Sequence, residues 1–328
     1  MLTKTKICAL TGLAALGLSY LPTLNAEENL WIYTKGTDTR PQGSWEAKLS
    51  SISRLDKGSG DYAFHDVRPE IEYGITDKLT VGVEFMIFNH DYSVNDPELE
   101  PMYSTQGGDR NKSFRDTKIG GYEISLKYNI LSPYKDAIGL SVGFAFEHRD
   151  QYRLDGADID QDSFVPMIFL QKNFIDDRLT WALNGKVEFE RRKSPGVLEE
   201  EIALDISTGI AYRVAPKWFI GWEIRYQGDF LAPQVEADAG ADGFDSKGIS
   251  QDLKPSSFDL SDISLGSNHQ YAIYTGPSVH YAEESWWATV GLLAQVWGDG
   301  SKFAYVKQDK NYDEHEKIHL GLSVGYEF

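Results

Sequence analysis

Residues 317–328 read KIHLGLSVGYEF. Ile318, Leu320, Leu322, Val324, Tyr326 and Phe328 fall on one side of an extended chain, and Lys317, His319, Gly321, Ser323, Gly325 and Glu327 on the other. Successive side chains of a strand point to opposite faces, so strict alternation means one apolar face and one wet face. A soluble sandwich could also end on such a strand. The rest of the chain decides between the two settings.

The pattern His319-x-Gly321-x-x-Val324-x-Tyr326, with Phe328 last, resembles the C-terminal assembly signal of bacterial outer-membrane barrels. That resemblance implies that Gly321, Val324, Tyr326 and Phe328 are read by the barrel-assembly machinery. The other end of the chain agrees. MLTKTK is basic, ICALTGLAALGLSYL is apolar, and PTLNA ends on a small residue before Glu27-Glu28. This is the pattern of a secretory signal peptide over residues 1–26, cleaved after Ala26. Cys8, the only cysteine, lies inside it, so the mature chain is expected to carry no thiol, disulfide or cysteine metal site.

No later stretch approaches the roughly eighteen apolar residues of a transmembrane helix. Aromatics nevertheless make up 13% of the chain while mean hydropathy is −0.39. That combination suits a membrane barrel, in which only alternate residues meet lipid. The formal charge of −18 argues against nucleic acid, whose phosphates it would repel.

Residues 27–43 contain Trp31 and Tyr33 but also Pro41 and Gly43, and read as a periplasmic N-terminal lead-in. From Ser44 the pattern predicts twelve strands, at 44–55, 62–76, 79–91, 117–131, 137–149, 163–175, 178–191, 201–214, 217–229, 270–282, 286–298 and 317–328. Most exceed the five or six residues usual in soluble domains and suit a tilted membrane crossing of about ten. Tight connections (Thr76-Asp77-Lys78, 132–136, Asp176-Asp177, Ala215-Pro216, 283–285) alternate with long ones (92–116, 150–162, 192–200, 230–269, 299–316); only 56–61 is short among the latter. Outer-membrane barrels sort their connections this way, with turns at the periplasmic end. The expected fold is therefore all-β: a transmembrane antiparallel up-and-down barrel over 44–328, one domain, in the outer membrane of a Gram-negative cell. Aromatics bunched near the tight turns, among them Tyr128, Tyr212, Trp218, Trp286 and Tyr326, read as an interfacial girdle. The faces of 163–175 and 286–298 are not assignable, because both alternate poorly.

ENLWIYTKGTDTRPQGSWE, EIEYGITDKL, LKYNILSPYKD, AYRVAPKWFIGWE, GPSVHYAEESWWATV and LGLSVGYEF together resemble a family of proteobacterial outer-membrane barrels known only as a domain of unknown function. The resemblance covers nearly everything after the signal peptide except the long loops. It implies compartment and fold, and brings no activity and no site residues.

On the wet faces, Glu70, Glu72, Glu84, Glu123, Lys127, Glu147, Lys186, Glu188, Asp205, Arg213, Glu223 and Arg225 are expected to line the lumen. One reading is a narrow passive channel for small neutral or cationic solutes, since carboxylates along a pore set a field that favours cations. The alternative is a structural or surface-interaction barrel whose lumen is closed by salt bridges. Acids in 230–269, and Asp155, Asp158, Asp160 and Asp162, fit no EF-hand spacing. They read as solvated loops sharing divalent cations with lipopolysaccharide phosphates, so lipid and lipopolysaccharide are the expected partners, with no nucleic acid. His90-Asp91 and His148-Arg149-Asp150 leave a third reading, a surface hydrolase. No nucleophile elbow, phosphate cradle or metal-spaced His cluster accompanies them, and no catalytic residue, cofactor or metal centre is predicted.

Overall fold

Alternation between lipid-facing and water-facing residues has one closed solution in a membrane, because a sheet edge has no solvent to satisfy its amides. The computed structural model of the protein describes residues 29–58, 60–93, 95, 113–194, 197–231, 268–299, 306–307, 309–312 and 314–328. The signal peptide, its cleavage at Ala26, and the acids of the 230–269 loop from Glu236 to Asp262 lie outside the described residues.

The strands are β1 (Trp45–Leu55), β2 (Asp61–Thr76), β3 (Leu79–Ser93), β4 (Ser113–Leu131), β5 (Gly139–Gln151), β6 (Asp158–Phe174), β7 (Leu179–Ser194), β8 (Val197–Ala215), β9 (Trp218–Leu231), β10 (Asn268–Ala282), β11 (Trp286–Asp299) and β14 (Ile318–Glu327). They form a closed antiparallel barrel, each strand paired with its chain neighbour and β1 with β14. The short pieces β12 (Val306–Lys307) and β13 (Lys310–Asn311) pair only with each other. At the seam the register runs from Glu46 opposite Glu327 to Leu55 opposite Ile318. The last strand of the chain thus covers the edge that the first one offers.

Outside, the barrel shows an apolar belt including Ile71, Val83, Phe85, Ile124, Leu322 and Val324. Continuous exposed apolar surface of this kind requires lipid. No helix of the described residues is long and apolar enough to span a membrane, and the crossing is made by strands. Beside the short turns, outward rings meet in tilted pairs: Trp45 with Tyr73 at 4.5 Å, and Trp218 with Tyr281 at 4.7 Å between centroids. Amphipathic rings gather at this height because the headgroup boundary suits them.

Several strands run further towards the long-loop end than expected. β4 begins at Ser113, β6 at Asp158 and β8 at Val197. Residues 192–194 and 197–200, expected in a long loop, therefore belong to β7 and β8, and Asp158, Asp160 and Asp162 belong to β6. Beyond the lipid both faces of a strand are wet. Polar residues there do not mark its end, and pairing with the neighbour continues to satisfy the backbone.

The structure also orients the two ambiguous strands. Val165 and Phe169 of β6, and Trp287 and Leu293 of β11, are buried on the inner face. Phe164, Ile168, Val290 and Leu292 are exposed on the outer one. Apolar residues on both faces erased the alternation.

Candidate functional site

The stretch read as a lead-in does enter β1, but from inside the bore. Every strand edge of the barrel is already paired, so residues 29–42 cannot add to the sheet. Their backbone groups must find side chains on the inner wall. Thr289 Oγ1 donates to the carbonyl of Asn29 at 2.5 Å, and Ser278 Oγ to that of Leu30 at 3.0 Å. Glu223 then accepts from three consecutive amides, those of Ile32 (3.2 Å), Tyr33 (3.0 Å) and Thr34 (2.5 Å), and from the Thr34 hydroxyl at 2.7 Å. Consecutive N–H groups form a concavity suited to an anion, and here the wall supplies that anion. Asn184 clasps Lys35, accepting from its amide at 2.6 Å and donating to its carbonyl at 2.8 Å. Gln171 accepts from the Thr37 amide at 2.8 Å, Asn129 donates to the Thr37 carbonyl at 2.9 Å, and Thr80 accepts from the Arg40 amide at 2.8 Å. The segment is a strap laid around the inner wall at the short-turn end.

Wall glycines make room for it. A Cβ on Gly321 would stand 1.7 Å from Ile32 Cγ2, and one on Gly209 would stand 2.4 Å from Trp31 Cε2. Gly321 of the terminal pattern thus has a second use inside the barrel. The strap ends on Arg40, which is 5% exposed. Its guanidinium meets Glu46 at 2.6 Å, Glu327 at 2.7 Å and Glu72 at 3.5 Å. Those three carboxylates stand side by side on β1, β14 and β2. Like charges in such positions repel, so one cation from the strap holds together the seam at which the barrel closes.

Above the strap the bore contains a cavity of about 680 Å³. Carboxylates outnumber cationic side chains among the residues lining it, fifteen to ten. Arg68 joins Asp66 at 2.8 Å to Glu84 at 2.7 Å. Arg149 joins Glu147 at 2.6 Å to Glu188 at 3.0 Å. Lys48 pairs with Glu70, and Arg225 with Asp205 at 2.7 Å while lying 3.8 Å from the centre of the Tyr33 ring. Glu70, Glu84, Glu123 and Glu147 face one another in a single cross-strand row over β2 to β5. A row of like charges is costly without cations threaded between them, and Lys48, Arg68 and Arg149 fill that role.

At the long-loop end two segments fold inward. Residues 152–157 are held by Tyr62, whose hydroxyl donates to the carbonyl of Leu154 at 3.0 Å, and by His90, whose Nε2–H donates to that of Arg153 at 2.9 Å. Arg153 in turn reaches Glu147 at 2.9 Å. Residues 314–316 are held by Lys57, donating to the Glu314 carbonyl at 3.0 Å, and by Tyr274, donating to the Glu316 carbonyl at 2.9 Å.

Asp155 sits in the first of these segments, 4% exposed, and burial pushes its carboxyl up to about 7. The inward fold therefore binds a proton more tightly than the opened turn does. Its stability is full below the ordinary carboxylate value near 3.8 and is lost as pH rises through about 7, by at most about 4 kcal/mol. Protection factors at Gly156 and Ala157, in which the intrinsic pH dependence of exchange is divided out, will fall across that window in the native chain and stay flat in Asp155→Asn. Equal pH profiles in the two chains would contradict this.

Of the residues expected in the lumen, Glu70, Glu72, Glu84, Glu123, Lys127, Glu147, Lys186, Glu188, Asp205 and Arg225 line the cavity. Glu223 is wholly buried under the strap. Arg213 sits at the short-turn rim, donating to the carbonyl of Asp177 at 3.0 Å. It steadies a turn in which Ile175, Asp176 and Asp177 all adopt positive φ, 56°, 51° and 59°. Val324, Tyr326 and Phe328 face outward.

Of the two His–Asp pairs behind the hydrolase reading, His148 and Asp150 come into contact at 3.4 Å, and His90 and Asp91 do not meet. His90 faces inward against Phe64, while Asp91 pairs with Arg115 at 2.6 Å. His148 faces outward, 2.8 Å from Asp162. Its imidazole and the carboxylates of Asp160 and Asp162 place ligand atoms within 4.8 Å of one another on the outer rim. Sequence reasoning missed Trp31, Ile32 and Arg40 as inner-wall partners. Their only signal was an aromatic and a lone arginine in a stretch without periodicity.

The fold is shared with solved outer-membrane barrels. The COG4313 outer membrane channel from Pseudomonas putida F1 matches with a TM-score of 0.52 at 10% identity, covering 89% of this chain and 98% of that one. The KdgM porin matches with a TM-score of 0.43 at 13% identity, covering 87% and 99%, respectively. The β domain of the Bordetella autotransporter BrkA matches at 0.48 and 9% identity, covering 88% and 100%. At such identities the likeness speaks for the fold alone. No curated protein matches the sequence. The model of a family of unknown function, DUF6662, matches residues 23–328. The chain belongs to that family.

Proposed function

We propose that the barrel is a narrow passive channel for small neutral or cationic solutes, constricted at its short-turn end by the strap of residues 29–40. The observation that carries this reading is the cavity of about 680 Å³ lined by more carboxylates than cations. Filling a bore with charge is costly compared with apolar packing, and a hydrated path for solutes gives that charge a use. The shared fold with a channel of Pseudomonas putida F1 supports it at the level of architecture only. In this reading the chain catalyses no reaction. Its partners are lipid, lipopolysaccharide and the machinery that inserts it.

In planar bilayers the barrel will show discrete conductance steps, and in a salt gradient its reversal potential will have the sign of cation preference. Anion preference, or an absence of steps across salts and voltages, would overturn the proposal. A second reading, an occluded structural barrel, is favoured by the inward segments at both ends, and it predicts the absence of steps.

A further inference from the structure

Four adjacent strands present hydrogen-bond acceptors to one side of the bore. Glu190 on β7 stands directly opposite Glu201 on β8. Asp229 on β9 stands opposite Ala203, one same-face step from Glu201, and Gln270 on β10 stands opposite Asp229. All four line the cavity. Glu190 is reached by Arg149 at 3.2 Å. Glu201 faces Arg192, which interacts with it electrostatically and lines the same cavity. The Gln270 amide nitrogen donates to Asp229, leaving the buried Oε1 of Gln270 without a donor.

An independent sign comes from His315, 3% exposed and lining the same cavity, whose Nε2 has no partner. Burial holds the imidazole down to about 3, so the ring is neutral and one nitrogen offers a lone pair. Buried acceptors without donors are costly. Their complement is a cation rich in N–H groups. A bare metal ion fits less well, because among the described residues three His, Asp or Glu ligand atoms converge within 4.8 Å only at His148, Asp160 and Asp162 on the outer rim. The bore acceptors are spread over strands about 4.8 Å apart and call for an extended ligand with donors at separate points.

We propose that this patch is a recognition site for a small aliphatic diamine, with its ammonium groups on Glu201 and Asp229 and further N–H groups on Gln270 Oε1 and His315 Nε2. The site rests on the channel reading only for the route by which a solute reaches it.

The test is equilibrium binding of 1,4-diaminobutane to the full-length barrel in detergent, followed by calorimetry. The native chain will bind it saturably, and the Asp229→Asn, Glu201→Gln double variant will bind at least about tenfold more weakly. Asp91→Asn, on the outer face and away from the patch, will bind as the native chain does. A heat-modifiable gel shift confirms that each variant is folded; if the double variant does not fold, Gln270→Leu is the second probe, and it too will weaken binding. Absent binding, unchanged binding in the folded variants, or full competition by equimolar Mg²⁺ would overturn the site. None of these outcomes depends on conductance. Binding lost in the variants of a barrel that does not conduct keeps the site and removes the channel, and conductance without binding does the reverse.

Discussion

Glu223→Ala will raise the conductance of the barrel more than any other single substitution in its wall. The native carboxylate accepts from the amides of Ile32, Tyr33 and Thr34 and from the Thr34 hydroxyl. Alanine removes the acceptor of all four donors. Each buried donor left unsatisfied costs about 1–3 kcal/mol. Even the low end of that range totals roughly 4 kcal/mol, nearly a thousandfold in the balance between strap bound and strap released. Glu223→Gln keeps one acceptor oxygen, and its effect will be intermediate. Single-channel recording checks this directly. Conductance and open probability unchanged in the alanine variant would show that the strap does not limit the bore, leaving the wall itself as the constriction.

Arg40→Met will cost the largest amount of stability, about 3–5 kcal/mol. Methionine retains much of the length and apolar body of the side chain, so the loss is of charge rather than packing. Without the guanidinium, Glu46, Glu327 and Glu72 remain adjacent across the seam and lose the one cation that touches all three. Lys48, which lies 3.6 Å from Glu72, is already engaged by Glu70. Urea unfolding in detergent will show a lower midpoint. Adding Glu46→Gln and Glu327→Gln to the methionine variant will restore much of it, since the repulsion then has fewer members. An unchanged midpoint in Arg40→Met would mean that the seam is held by its backbone ladder alone.

Both predictions concern a segment that the residue pattern left unexplained. Asn29 to Gln42 has no period, because it takes part in no ladder. Its side chains were chosen by contacts with Gly209, Gly321, Glu223 and Asn184, all more than a hundred residues away. The lumen acids were readable as a set, since each falls on the polar side of an alternating strand. Their pairing was not. Whether Glu46 meets a lysine, an arginine of the strap or nothing depends on register across the seam and on what enters the bore. The outer ends of β4, β6 and β8 escaped for a related reason: once a strand leaves the lipid, polarity no longer alternates and composition ceases to report extension.

Sequence alone determined the membrane setting, the number of strands, their order and the end at which the turns lie. Lipid on one side and water on the other imprint a two-residue period on any wall between them, and that imprint is local. Tertiary structure decided what fills the bore. A strap, two inward turns and a web of ion pairs are held by side chains distant in the chain, and such contacts exist only once the edges of the sheet have met.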